Sequence, residues 1–246
     1  MRPWHPSDRF FFLLYLAWIA VGLVAAPFHI TEGTPAQWHF LSPHLRSFLS
    51  FCLAWGDPIL LILAAENTRR MVNNIWGRQA SRRWFICVVI VSFAFELVGT
   101  LTGFPFGPYA YTENLGPRVD FIPYFGLVPV TIPLAWLVLV SNVLILWRCF
   151  LAGFIPFIEA AAVASLVTAI DWVMEPFASK IKVYWIWGGD GLPHWKNYAA
   201  WWVLSFLLVL CFAKTPAHQD RPEPRPFLIL GTIVLLFALT RWSYGI

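Results

Sequence analysis

The chain has 246 residues, of which 59% are hydrophobic and only 12% charged, about half the charged share of an ordinary soluble domain. Its 17 Lys and Arg outnumber 13 Asp and Glu, but the basic residues are confined to short segments between apolar runs, so the excess reports membrane orientation and no nucleic-acid partner. A soluble globular enzyme is excluded, and the bilayer is the solvent in which the residues must be read.

A helix needs about 20 mostly apolar residues to cross the hydrocarbon core, and seven stretches come close: 10–26, 47–65, 84–103, 124–147, 149–170, 198–212 and 226–240. The expected fold is all-α, a polytopic membrane bundle of about seven helices forming one integral domain over 1–246. The tight junction at Arg148 and the short last two stretches leave six or eight spans open. The first stretch follows Arg2 and Arg9 as a signal peptide would, yet Pro27 spoils a cleavage site at Ala25 and Ala26, so it is read as a span. Arg69, Arg70, Arg78, Arg82 and Arg83, between the second and third spans, carry most of the charge asymmetry. They place the N-terminus in the cytoplasm, in a multi-pass protein suited to a bacterial inner membrane. Cys52, Cys87, Cys149 and Cys211 lie in apolar runs without CxxC spacing and are read as buried thiols.

Glu96, Asp171 and Glu175 stand out because they lie in or beside these apolar segments, where an acid is expensive and therefore a functional candidate. The third and fifth spans run in the same direction, so the long loops that follow them, 104–123 and 171–197, emerge on one side and can meet. Glu96 lies about two turns before the first loop, and the other two acids open the second, which puts all three in one leaflet. Asp171 and Glu175 are spaced to share a helix face, and Pro176 is expected to end that helix. Two carboxyls that close would share a proton, as a general acid requires; the alternative is that they sit solvated or paired with Lys180 and Lys182. Gly99 and Gly103 form a GxxxG that would let another helix approach the face of Glu96. Asp57, in Gly56-Asp57-Pro58, and Glu159 could each line a polar cavity or serve an internal hydrogen bond.

Of the 15 tryptophans, Trp76, Trp84, Trp147 and Trp242 are explained by interfacial belts. The loop cluster of Tyr109, Tyr111, Tyr124, Trp172, Tyr184, Trp185 and Trp187 is denser than a belt requires, and aromatic faces stabilise cations by about 0.5 to 2 kcal/mol each. There is no GxGxxG, P-loop, HExxH or Ser-centred GxSxG, no Lys in the seventh stretch for a retinal Schiff base, and no facing midspan His pair for haem. Acid chemistry without a cofactor survives this elimination.

With Glu96, Gly99, Thr102, Gly103, the run 106–111, Pro129, Pro133 and Trp136, and again with Asp171, the run 175–178, Trp185, Trp187, Pro193, Asn197 and Trp201, the chain resembles the membrane carotenoid hydratase family. The resemblance covers about 84–202; the stretch 188–194 departs from the Tyr-Gly-Val-Pro pattern of that family. It implies a cofactor-independent, metal-free hydro-lyase that protonates the terminal double bond of an acyclic carotenoid at C2 and adds water to the cation at C1. Glu96, Asp171 and Glu175 are then the expected catalytic acids, with Asp57, Tyr109, Tyr111, Trp172, Trp185 and Asn197 on the substrate. The expected partners are membrane lipid and a carotenoid, whether lycopene, a monocyclic carotene or a C50 polyene. A lycopene-type cyclase, and a carotenoid binder or transporter without enzyme activity, are the alternatives.

Overall fold

The computed structural model describes residues 5–29, 39–116, 125–151, 155–212 and 223–246. Among them are seven α-helices: α1 (Pro6–Ala25), α2 (Pro43–Trp76), α3 (Arg78–Thr102), α4 (Ile132–Phe150), α5 (Pro156–Pro176), α6 (Trp195–Cys211) and α7 (Arg225–Ser243). Six are long and apolar enough to cross a membrane, and α6, at 17 residues, is slightly shorter. The chain is thus the all-α membrane bundle that its composition implies. Proline stands in the first turn of α1, α2, α4, α5 and α7, where its missing N–H has no partner to lose. Ser42 Oγ and His194 Nδ1 accept from Leu45 N and Lys196 N and cap α2 and α6.

The bundle is built around α4, which packs on α2, α3, α5, α6 and α7. Residues 137–145 of α4 are all buried, so it has no lipid-facing stripe. Its two polar residues in that stretch are consumed internally. Ser141 Oγ accepts the Trp84 indole N–H at 2.7 Å, and Asn142 Nδ2 donates to Thr68 Oγ1 at 2.8 Å. Trp84 is therefore a packed core ring, as is Trp76 stacked edge-on against it, and neither is the interfacial anchor its position near a span end suggests. The four cysteines are free thiols; Cys211 is exposed and the other three half-buried, because they lie toward the outer faces of their helices.

The fifth helix starts at Pro156, later than the apolar run beginning at 149 suggests. Across this junction Arg148, in the last turn of α4, forks onto Glu159, in the first turn of α5, with both side chains buried. Glu159 therefore fastens two helix ends and does not line a cavity. At the other end of α5, Pro176 does not stop the helix as expected. Pro176 keeps helical dihedrals (φ −65°, ψ −33°), and the chain goes on as a π-turn, Phe177–Ile181.

The loops after α3 and α5 do meet. Among the described residues the only sheet pairs β1 (Tyr109–Tyr111) antiparallel with β2 (Trp185–Trp187), in the register Tyr109 to Trp187, Ala110 to Ile186 and Tyr111 to Trp185. Alternation along a strand puts Tyr109, Tyr111, Trp185 and Trp187 on the inner face and leaves Ile186 exposed. The small sheet caps one end of the bundle with four aromatic rings turned inward.

Candidate active site

Glu96 ends up beneath this cap because of two glycines. Gly103 ends α3 in the left-handed conformation (φ 74°), which reverses the chain toward β1. Gly99 leaves room for the returning segment: a Cβ there would lie 2.6 Å from the Phe106 ring and 3.0 Å from the Tyr109 hydroxyl. The GxxxG thus admits the chain's own loop, and not a second helix. With that space available, the hydroxyls of Tyr109 and Tyr111 donate to Glu96 Oε2 at 2.6 and 2.8 Å. The indole of Trp136, from α4, donates to Oε1 at 2.8 Å. Both oxygens of this buried carboxyl are engaged by neutral donors. Burial, and next the neighbouring charge of Glu96, push both phenols well above the ordinary tyrosine range, so they remain donors.

Glu175 is served from the other strand. Trp185 and Trp187 donate their indole N–H groups to Oε1 at 3.0 and 2.6 Å, whereas Oε2 is buried without a hydrogen-bond partner among the described residues. Asp171, one turn earlier on the same face of α5, is fully buried. Its Oδ2 accepts from Asn197 Nδ2 of α6 at 3.1 Å, and its Oδ1 is likewise unpartnered among the described residues. Among the described residues neither acid is paired with a lysine. Lys182 instead reaches Asp57 of α2, 3.0 Å away, at the edge of the same region.

These groups surround one apolar cavity of about 100 Å³. Glu96, Glu175, Asp57, Tyr109, Tyr111, Trp185 and Asn197 all line it, as do Tyr184, Trp136 and Trp201. Asp171 stands behind Glu175 and does not line it. Trp172 is a clear misplacement: as the neighbour of Asp171 on a helix it is rotated about 100° away, is 60% exposed, and lies under the Arg241 guanidinium. Tyr124 lies outside the described residues. Two lining rings were quoted from the sequence only as motif positions, Trp136 and Trp201, which stack at 3.9 Å with planes 19° apart. Their spacing within apolar helices gave no local sign of a role. Among the described residues no group of His, Cys, Asp and Glu could hold a metal ion.

The arrangement can protonate, and can hold charge, in a space that accepts an apolar molecule. One carboxyl has an oxygen free of hydrogen bonds, another is fixed by three donors, and the walls between them are aromatic.

Residues 56–244 match the model of a family described as carotenoid biosynthesis protein, a match wider than the stretch whose motifs are legible by eye. The bisanhydrobacterioruberin hydratase of Haloarcula japonica is 31% identical over 132 residues, covering 52% of this chain and 43% of that protein, so the chain aligns with less than half of its relative. No solved structure matches the chain significantly. With most of its length, and every acid of the cavity, inside the matched region, the chain belongs to the carotenoid biosynthesis protein family.

Proposed function

We propose that the protein is a carotenoid hydratase that adds water across the terminal C1–C2 double bond of an acyclic carotenoid end. The observation that carries this reading is Glu175: a buried carboxyl at an apolar cavity, with Oε1 held by two indoles and Oε2 unpartnered. The name of the relative from Haloarcula japonica supports the same reaction class.

In this mechanism Glu175 is the acid. Its proton passes to C2, the π bond supplies the electron pair, and a tertiary cation forms at C1. Water adds at C1 and releases one proton to the Asp171–Glu175 pair, so the pair holds the same number of protons before and after turnover. Glu96 stays ionised as the fixed negative charge opposite the cation, and Oε1, with one donor only, retains a lone pair to orient the water. Asn197 orients Asp171. The acids sit at the far end of α3 from the exposed Arg78, Arg82 and Arg83, which with the cytoplasmic assignment of those arginines puts the chemistry in the outer leaflet.

The test is expression in a bacterium accumulating lycopene or a monocyclic carotene, followed by chromatography and mass spectrometry of the pigment. A more polar product heavier by one water is expected. An isomer of unchanged mass would mean that a neighbouring double bond captures the cation, as in a cyclase. Untouched pigment with the protein present in the membrane would remove the proposal.

A further inference from the structure

Resting on the hydratase reading, we infer that the stacked indoles of Trp136 and Trp201 are the surface that holds the carbocation at C1, which makes them catalytic residues of the reaction. A tertiary cation in an apolar cavity has lost the water that would solvate it and needs a π face or an anion in its place. The loop rings expected to serve, Trp172 apart, line the same cavity but stand edge-on or tilted to one another and offer no parallel pair. Tyr109 and Tyr111 direct their hydroxyls to Glu96 and stand edge-on to each other at 85°. Trp185 and Trp187 direct their N–H groups to Glu175, and Trp172 lies outside the cavity.

Trp136 and Trp201 differ from these in being stacked face to face. They line the cavity together with Glu175, are buried, and lie nearly parallel at 3.9 Å, so the pair offers extended indole π surface to the same space. Tryptophan is the best of the aromatic rings for a cation. The Trp136 N–H is given to Glu96 Oε1, and donation to a carboxylate leaves the indole richer in electrons while fixing its plane. Glu96 then acts on the cation twice, through its own charge and through the ring it polarises. No bond forms between the indoles and the substrate: the cation arises when the Glu175 proton reaches C2 and is consumed when water bonds to C1.

Fluorinated tryptophans test this, because fluorine withdraws π density while nearly preserving ring size and the N–H. Tryptophan carrying one, two or three fluorines is installed by codon suppression at position 136 or 201 of the full chain, and hydration is followed in carotene-containing membranes at matched protein level. Turnover is expected to fall stepwise with fluorine count at one or both positions, by about tenfold or more over the series, with protein abundance unchanged. Hydration by the tryptophan protein together with a flat series at both positions overturns this inference and leaves the hydratase reading standing. If the unmodified protein leaves the pigment untouched, the reading falls and the inference with it.

Discussion

Tyr109 and Trp187 face each other across the two-stranded sheet, rings 5.4 Å apart, and each serves a different acid: the tyrosine donates to Glu96 and the tryptophan to Glu175. The next inward rung repeats the division, with Tyr111 on Glu96 and Trp185 on Glu175. The sheet therefore fixes the two carboxyls relative to one another. A slip of one strand by one residue would turn both of its donors outward.

Glu175→Gln is expected to abolish hydration, with a loss in the range of about 10² to 10⁴-fold typical of a removed general acid. Glu96→Gln replaces an acceptor of three hydrogen bonds by a group that can accept at only one oxygen, and is expected to lose a similar amount. Asp171→Asn, one shell away, is expected to lose less. Product yield per unit of membrane protein measures all three, and near-normal turnover in all three amides would sink the acid mechanism.

Tyr109→Phe and Tyr111→Phe each delete one donor to a charged group, which is worth about 1.5 to 3 kcal/mol, and each should lower turnover accordingly. The phenols also predict an alkaline limb in stability. Their pKa values in the fold lie well above the ordinary value near 10. Above about pH 10 the unfolded chain loses these protons while the folded chain keeps them, so stability falls as pH rises. Thermal unfolding in detergent between pH 8 and 11 should show a shallower alkaline decline in either Phe variant than in the parent.

Glu159→Ala should destabilise without touching the chemistry. It removes the carboxylate from the buried Arg148–Glu159 pair, a change that costs about 3 to 5 kcal/mol when a buried pair loses one member. A marked drop in unfolding temperature with normal product distribution is expected. Preserved stability with lost hydration would return Glu159 to the list of functional acids.

Gly99→Ala places a methyl 2.6 Å from the Phe106 ring. The loop must retreat, at about 1 to 3 kcal/mol for overpacking, and Tyr109 moves off Glu96 with it. Reduced stability and reduced turnover should therefore appear together. A variant as stable and active as the parent would show that the loop is not held against α3.

The bundle and the meeting of the two loops were legible because both follow from apolar length and from the direction of successive spans. Glu96, Asp171 and Glu175 were legible because ionisable groups in such segments are conspicuous. What the sequence hid is rotation about helix axes. Trp172 adjoins Asp171 in the chain but faces outward, while Trp136 and Trp201 look like any buried apolar position and line the cavity. Asp57 illustrates another gap: its place on the cavity was anticipated, but its partner Lys182 comes from the loop beyond the π-turn, a contact that only the fold brings together. Pro176 misled for a local reason, since its fixed φ is itself helical and the chain passes through it into a π-turn.

The two donors on Glu175 Oε1 are indoles, and an indole N–H can give a hydrogen bond but cannot pass a proton along. On that side, among the described residues, the carboxyl meets only donors that do not exchange protons, and Oε2 is left for traffic. Glu96, bound by two phenols, is in the opposite situation. The cap thus separates the two acids by the kind of ring assigned to each, so that in the proposed reaction a proton held at Glu175 is not drained through the cap and is kept for the molecule in the cavity.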